Sequence, residues 1–183
     1  WTAVGNSTAR FQGELNGNGY TISNLKIKGA TSEFQGLIGF ADSSATLQNI
    51  NLKDAVVEST SNFVGILGGV ILCDISNCSS VNGSVKGGYD TGGLAGEAST
   101  ISNSYATGTV TGTDSTGGLV GYTDGAISNS YATGNVTSTS DYVGGLAGYQ
   151  TNGKISNSYA TGNVTGNDYV GGLTGNNYGG DGI

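Results

Sequence analysis

Apolar and polar residues alternate over short runs along most of the chain, and glycine, asparagine or aspartate separates one run from the next. The runs 25–27 (LKI) and 163–165 (NVT) are typical, and this period of two predicts short β-strands bounded by turns. No apolar stripe with a period of 3.6 residues persists, and glycine and β-branched residues are frequent, so the pattern gives little support to helices. The chain is therefore predicted to be all-β.

The strand pattern is itself repeated. Three copies of the octapeptide ISNSYATG follow three weaker copies, and the segment begins at Ile22, Leu47, Ile75, Ile101, Ile127 and Ile155. A second motif, GGLxG or the shorter GLIG, alternates with the first and begins at Gly36, Gly92, Gly117, Gly144 and Gly171. Together the two motifs define a unit of about 27 residues that is present about six times.

A repeat of this length narrows the choice of fold. A leucine-rich repeat has a similar length, but its L-x-x-L-x-L pattern is missing, and a propeller blade needs about 40–50 residues. We therefore expect a parallel β-solenoid of about six rungs, right-handed by default, in which each unit stacks on the last. Residues 1–21 are expected to form a lead-in or cap, and 22–183 a single repeat domain whose last unit is incomplete.

Comparison of the copies indicates which positions face the interior. The leucine of each GGLxG motif and the first isoleucine of each ISN segment are expected to be buried. In the alignment of the copies, further inward positions are shared by the pairs Leu25 and Ile27, Ile50 and Leu52, and Ser104 and Ala106. Small side chains at these positions predict a narrow interior.

Composition and charge exclude several classes of function. The chain has 6 Lys and Arg against 13 Asp and Glu, and its net charge of −7 argues against a nucleic-acid partner. It contains no His, which removes the most common general base and metal ligand. No run approaches the roughly 18 apolar residues that cross a bilayer, so no membrane insertion is expected. We expect no cofactor and no enzymatic activity.

The two motifs together resemble a known family. GGLAG, GGLVG and GGLTG, paired with ISNSYATGxV, are similar to the GLUG-motif repeats of bacterial surface proteins, and 11–27 (FQGELNGNGYTISNLKI) resembles the lead-in that often precedes them. The resemblance implies an extracellular, bacterial, β-rich segment of an adhesin-like protein. Some relatives sit beside IgA-specific metallopeptidase domains, but this chain has no H-E-x-x-H, so no peptidase activity carries over.

In a solenoid each repeated position becomes a column, and two columns are expected to serve the fold or a ligand. The asparagines predict a structural ladder of stacked amides at a turn, formed by Asn24, Asn49, Asn77, Asn103, Asn129 and Asn157. The tyrosines Tyr105, Tyr131 and Tyr159 are predicted to face outward. Such a column either stacks on sugar rings or a protein partner, or only stiffens the rod.

Threonines form two further columns, one of Thr107, Thr133 and Thr161 and one of Thr111, Thr137 and Thr165. A regular threonine array on a β-solenoid resembles the surface of ice-binding proteins. However, Lys53 and Lys86 occupy equivalent N-terminal positions, and threonine is favoured on exposed strands for propensity alone. The two interpretations stay open at this point.

Acidic residues precede the glycine pairs, at Glu33, Asp90, Asp114, Asp141 and Asp168, with Asn62 in their place once. Stacked like charges repel, so Ca²⁺ bound between rungs by Asp90, Asp114, Asp141 and Asp168 is one interpretation. A solvated turn is the other. Cys73 and Cys78 are five residues apart and form either a local disulfide or, as we favour, two buried free thiols.

The sequence therefore predicts a non-catalytic structural and adhesive repeat segment, a rigid rod on an extracellular surface. A host or cell-surface protein or glycan is the expected partner, and open solenoid ends allow end-to-end self-association. The alternative is a small secreted β-solenoid that binds ice or carbohydrate through its Thr and Tyr face. Because the chain begins at Trp1 and ends inside an unfinished unit, a processed chain or an excised fragment is expected.

Overall fold

The computed structural model describes residues 1–179, and the last four residues of the predicted repeat domain lie outside the described part. It consists of 28 short strands in five parallel sheets, with no helix between residues 1 and 179. The prediction of an all-β parallel β-solenoid with a repeat of about 27 residues is confirmed. The six coils span 14–41, 46–71, 75–98, 101–123, 127–150 and 155–177.

Each coil runs through the sheets in the same order. Sheet 1 contains β1 (Glu14–Asn16), β5 (Thr46–Gln48), β9 (Ile75–Ser76), β14 (Ile101–Ser102), β19 (Ile127–Ser128) and β24 (Ile155–Ser156). Sheet 2 contains β2 (Thr21–Ser23), β6 (Asn51–Lys53), β10 (Ser79–Val81), β15 (Tyr105–Ala106), β20 (Tyr131–Ala132) and β25 (Tyr159–Ala160). Sheet 3 contains β3 (Lys26–Ala30), β7 (Val56–Ser59), β11 (Ser84–Lys86), β16 (Thr109–Gly112), β21 (Val136–Ser138) and β26 (Val164–Thr165).

The remaining two sheets hold the GGLxG motifs. Sheet 4 contains β12 (Tyr89–Gly92), β17 (Asp114–Gly117), β22 (Val143–Gly144) and β27 (Val170–Gly171). Isolated bridges from Gln35 to Val64 and from Val64 to Thr91 continue this sheet into the first two coils. Sheet 5 contains β4 (Ile38–Ala41), β8 (Gly68–Ile71), β13 (Ala95–Ala98), β18 (Val120–Thr123), β23 (Ala147–Gln150) and β28 (Thr174–Asn177).

The register between coils is nearly constant, so equivalent residues lie above one another. In sheet 1, Ile101 pairs with Ile75 on one side and with Ile127 on the other. These isoleucines and the GGLxG leucines Leu94, Leu119 and Leu146 are fully buried, and Leu173 in the last coil is partly buried. The apolar columns merge into one continuous core along the axis, and burial of this surface drives the stacking.

The backbone approaches closely at two glycines of coil 3. A Cβ added to Gly93 would clash with the main-chain oxygen of Gly118 and lie 2.9 Å from the Cβ of Ala106, both in the next coil, and one added to Gly96 would lie 2.6 Å from the main-chain oxygen of Asp90. Both distances are shorter than ordinary contacts between carbon or oxygen atoms. Glycine at these two motif positions is therefore required by close approach of the backbone.

The structure of the first coil differs from the alignment of the copies made from the sequence. Ile50 and Leu52 do share columns with Ser104 and Ala106, through Cys78 and Ser80. Ile22, however, pairs with Leu52, which shifts the 22–24 segment by one sheet relative to the later ISN segments.

The predicted positions of Leu25 and Ile27 in the Ser104 and Ala106 columns are therefore wrong. Ile27 pairs with Val57, a residue of sheet 3. This register keeps both Leu25 and Ile27 buried and leaves Ile22 41% exposed, contrary to its expected burial. The sheet-1 strand of coil 1 is β1, which lies inside the 1–21 segment.

Candidate functional site

The asparagine column is a column of left-handed corners. Five of the six predicted members follow sheet 1 and have positive φ: Asn49 (56°), Asn77 (52°), Asn103 (48°), Asn129 (49°) and Asn157 (48°). Asparagine adopts this conformation more readily than other non-glycine residues, which explains its repetition. Side-chain amides also bond between coils, with Asn157 Nδ2 donating to Asn129 Oδ1 at 3.3 Å.

The inclusion of Asn24 in this column is wrong. Its N–H donates to the carbonyl of Lys53, which places it with Asp54 and Asn82 at the corner between sheets 2 and 3. Asn16 stands at the first-coil end of the amide ladder instead, where its Oδ1 accepts from Asn49 Nδ2 at 3.0 Å. The cause is the one-sheet shift of the first ISN segment.

A second ladder, of buried serine hydroxyls, was not found from the sequence. Ser104 N–H donates to Ser130 Oγ at 3.2 Å, and Ser130 N–H donates to Ser158 Oγ at 3.1 Å. Each hydroxyl in turn donates to the carbonyl two residues earlier, as Ser130 Oγ does to Ser128 at 2.8 Å. The second serine of ISNS satisfies buried main-chain groups, and its strict repetition beside an inward alanine was the available signal.

Cys78 extends this ladder toward the N-terminal coils. Its N–H donates to Ser104 Oγ at 3.0 Å, and its Sγ lies 3.2 Å from the carbonyl of Ser76. Cys73 and Cys78 are both buried free thiols, the state that the sequence favoured. Burial raises the pKa of each thiol to about 11, so neither is a reactive thiolate near neutral pH.

The tyrosine column faces outward on sheet 2 and forms a continuous stack. The ring centroids of Tyr105 and Tyr131 are 4.7 Å apart, and those of Tyr131 and Tyr159 are 5.1 Å apart, with 5° between the ring planes in each pair. Both faces of the Tyr131 ring are therefore covered by its neighbours. The stack presents ring edges and hydroxyls to solvent, and Tyr159 is 51% exposed.

The threonine columns extend over coils 4 to 6. Thr111 pairs with Thr137, and Thr137 with Thr165, but the same column continues as Lys86, Glu58 and Lys28 in the earlier coils. Lys28 and Glu58 form an ion pair at 3.1 Å. The second column, Thr107, Thr133 and Thr161, is on sheet 2 and passes into Val81 and Lys53. Neither threonine array covers the whole rod.

The predicted acidic column is wrong at one member. Tyr89, not Asp90, pairs with Asp114, and Asp90 occupies the next position, a left-handed corner with φ of 50°. In the same column, Asp141 Oδ1 accepts a hydrogen bond from the N–H of Asp168 in the next coil at 3.3 Å. Asn62 Oδ1 likewise accepts one from the N–H of Tyr89 at 3.0 Å. These side chains cap the turns of the following coil.

The structure does not support the predicted calcium site. Within residues 1–179 there is no group of three or more carboxylates or thiols with an arrangement that could hold a metal ion. The one-residue offset of Asp90 breaks the set of four carboxylates that the sequence appeared to stack.

Two adjacent columns form a surface that the sequence analysis missed, and we call it the aromatic-acid strip. The first column consists of left-handed corners before the glycine pairs, at Phe34, Phe63, Asp90, Ser115, Tyr142 and Tyr169. The second is the outward position of sheet 5 after each GLxG, at Phe40, Val70, Glu97, Tyr122, Tyr149 and Asn176. Their fixed offsets from the glycine motif were the signal in the sequence.

Aromatic rings dominate both ends of the strip. At the C-terminal end, Tyr142 stacks on Tyr169 with centroids 4.9 Å apart, and Tyr122 stacks on Tyr149 at 6.0 Å. The two stacks meet at a right angle, since Tyr142 and Tyr149 lie 4.9 Å apart with 88° between their planes. At the N-terminal end, Phe34 stacks on Phe63 at 5.2 Å. The left-handed conformation is rare for bulky residues, and at these corners the rings pack on one another.

The middle of the strip is acidic. Burial, together with Glu97 and Asp114 nearby, raises the pKa of Asp90 to about 7. Burial and the charge of Asp124 raise the pKa of Glu97. The carboxylates are thus placed where their charges are poorly solvated and repel one another.

Comparison with known proteins identifies three of the repeats. Residues 87–111, 112–137 and 139–165 match the family model of the GLUG motif. Halomucin of Haloquadratum walsbyi is 39% identical over 115 residues, which are 62% of this chain and 1% of that protein. A "Putative Gly-rich membrane protein" of Evansella cellulosilytica is 35% identical over 128 residues, covering 52% of this chain and 15% of the relative.

A solved structure has the same fold. The crystal structure of a "putative immunoglobulin A1 protease" from Bacteroides ovatus superposes with a TM-score of 0.78 at 27% identity, over 94% of this chain and 59% of that one. The chain therefore spans only part of each of these relatives. Within residues 1–179 there is no helical segment with the length and hydrophobicity that a membrane crossing requires.

Proposed function

Because residues 87–165 are a GLUG repeat region stacked into one solenoid, we propose that this chain is a non-catalytic structural and adhesive segment of an extracellular surface protein. Similarity to halomucin and to a protein named as a membrane protein supports a cell-surface location. The observation that carries the proposal is the parallel pairing of all six coils through five sheets, in a nearly constant register. Such a ladder resists bending, because each coil is hydrogen-bonded to its neighbours on every side.

A stiff rod of stacked coils can hold functional elements at a fixed distance from one another. Six coils at roughly 4.8 Å per coil give a rod about 30 Å long. An acidic exterior, with a net charge of −7, keeps such a rod soluble and separated from other anionic surfaces. Adhesion would use side chains that repeat along the rod, of which the Tyr105, Tyr131 and Tyr159 stack is the most regular.

The location is tested by antibody staining of the source cells, intact and permeabilised, with serum raised against this segment. We expect staining of intact cells and, on an immunoblot, a species larger than 18.2 kDa. Staining that appears only after permeabilisation would contradict the proposal. A free species near 18.2 kDa in the medium would favour the secreted alternative below.

A secreted ligand binder is the second candidate, and the tyrosine stack is the observation that favours it. Since the Tyr131 ring is covered on both faces, a glycan would contact hydroxyls and ring edges, with the exposed ring of Tyr159 as a stacking platform. Ice binding receives less support, because both threonine columns give way to lysine in the N-terminal coils.

A glycan array probed with the purified chain separates these candidates. If the stack binds sugar, Tyr159→Ala should abolish the signal, while Thr137→Ser on the other sheet should leave it unchanged. Retention of binding in Tyr159→Ala would exclude the tyrosine platform. Absence of any glycan signal, together with unaltered ice growth, would leave the structural rod as the function.

A further inference from the structure

An arginine lies against the N-terminal end of the aromatic-acid strip, and the way it is held indicates what else the strip binds. Arg10 lies in the lead-in, next to Phe11, which bridges to Ala41 of sheet 5. Its guanidinium carbon lies 4.6 Å from the centroid of the Phe40 ring, and its Nη1 is 3.3 Å from Asp42 Oδ2. The ring and the carboxylate two residues later together hold the arginine.

The same pair recurs three coils further along. Phe40 and Tyr122 occupy one column, through Val70 and Glu97. Asp124 follows Tyr122 by two residues, as Asp42 follows Phe40. The chain therefore presents the ring and carboxylate of its own arginine site a second time.

At this second position the arginine of the column is replaced by an acid. The residue beside Tyr122 on its N-terminal side is Glu97, where Arg10 stands beside Phe40. The ion pairs between residues 1 and 179 are Arg10 with Asp42 and Lys28 with Glu58, so neither Glu97 nor Asp124 forms an ion pair with the described chain. The site thus has an aromatic ring and two carboxylates that no described cation contacts.

The tyrosines around the site add cation-binding surface. Tyr149 continues the Tyr122 stack, and Tyr142 meets Tyr149 edge to face. The Tyr122 hydroxyl is 3.1 Å from Thr151 Oγ1, which fixes its ring. Tyrosine rings attract guanidinium groups through their negative faces, and the attraction grows when carboxylates stand close by.

We propose that Tyr122, Asp124 and Glu97 bind an arginine side chain of a partner protein, so that the aromatic-acid strip is a docking surface for a basic protein segment. The guanidinium donates to the carboxylates of Glu97 and Asp124, as Arg10 does to Asp42, and lies on the Glu97 side of the Tyr122 ring, because Tyr149 covers the other side. Binding also relieves the repulsion between Glu97 and Asp124. This inference goes beyond the rod and does not depend on display at a cell surface.

The test uses an acetylated, amidated hexa-arginine peptide carrying fluorescein, with fluorescence anisotropy measured on the whole chain at about 150 mM salt. The test variant is Tyr122→Leu/Asp124→Asn. The matched control is Tyr20→Leu/Asp54→Asn, which removes the same two side-chain types and the same charge at exposed positions of other columns. Circular dichroism checks that both variants fold.

We expect the test variant to lower affinity at least fivefold and the control to stay within twofold of the parent. Asp124→Asn alone, at an exposed position, should lower affinity about threefold, and Tyr122→Phe should restore most of the binding that Tyr122→Leu loses. A hexa-lysine peptide should bind more weakly, because an ammonium cannot stack or bond bidentately. Equal losses in test and control variants, equal binding of the lysine peptide, or no binding by the parent would each overturn the proposal.

Discussion

Coil 2 and coils 4 to 5 adopt the same path with different interiors. Coil 2 fills its interior with large aliphatic side chains, and Ile50, Leu52 and Ile66 are all fully buried. The equivalent columns in coil 5 carry Ser130, Ala132 and a glycine, Gly145. There the walls approach more closely, and buried serine hydroxyls bond one coil to the next.

The difference shows that one backbone can be stabilised in two ways. In coil 2 the main contribution is apolar burial, which tolerates an irregular sequence as long as the volume is filled. In coils 4 and 5 it is a polar ladder together with close packing, which demands small residues at fixed positions. The stricter requirement explains why the later repeats are nearly identical and the earlier ones diverge.

The largest expected loss of stability is in coil 2, whose interior is filled with large aliphatic side chains. Leu52→Ala introduces in coil 2 the residue that coils 4 and 5 carry in the same column, but without their closer walls. We expect it to lower the free energy of unfolding by about 3 kcal/mol, because a cavity remains. Urea denaturation followed by circular dichroism measures this. Ile22→Ala, in the same column but half-exposed, should cost only about 1 kcal/mol, and an equal loss would refute the comparison.

Gly118→Ala tests why glycine is required at this motif position in coil 4. An added Cβ at Gly118 would clash with the main-chain oxygen of Gly145 in the next coil and would lie 2.8 Å from the Cβ of Ala132, so the backbone must shift. We expect a loss of about 2 kcal/mol in unfolding free energy. Gly172→Ala is the control at the same motif position of coil 6, where no described residue lies within 4 Å of the new atom. Similar losses in both variants would mean that close approach is not the reason for glycine.

Replacing a serine tests the hydroxyl ladder. Ser130→Ala leaves the buried N–H of Ser104 without its acceptor, and we expect about 1.5 kcal/mol of destabilisation. Ser128→Ala, two residues earlier and half-exposed, should change stability by less than about 0.5 kcal/mol. Chemical denaturation of the two variants gives the comparison directly. Equal stability of Ser130→Ala and the parent would show that the serine ladder does not stabilise the fold.

The smallest expected effect is a pH dependence of stability. It arises in coil 3, which lies between coil 2 and coils 4 and 5. The pKa of Asp90 is raised to about 7 in the fold, so the folded chain holds a proton that the unfolded chain releases near pH 4. Stability contributed by this group is full below about pH 4 and is lost as the pH rises toward 7. We expect a decrease of about 1 kcal/mol after allowing for solvent screening. Asp90→Asn should flatten the profile of urea midpoints between pH 4.5 and 8, and an unchanged slope would contradict this assignment.

The candidate surfaces were predictable to different degrees. The tyrosine and threonine columns follow from exact repetition, which places Tyr105, Tyr131 and Tyr159 one coil apart whatever the detailed register. The aromatic-acid strip was not predicted, because its two columns belong to different sheets. Their contact depends on left-handed corners that turn the side chains of Tyr142 and Tyr169 onto the outer surface.

The sequence alone determined the all-β class, the repeat of about 27 residues, the six coils and the buried leucines of the glycine motifs, because period and composition are local properties. Only the tertiary structure decided that Asn24 leaves the asparagine column and that Tyr89 replaces Asp90 beside Asp114. In both places a shift of one position or one sheet leaves the motifs intact, and the choice depends on which register fills the interior and satisfies the corners. The register depends on contacts between neighbouring coils, so the sequence of one repeat alone does not determine it.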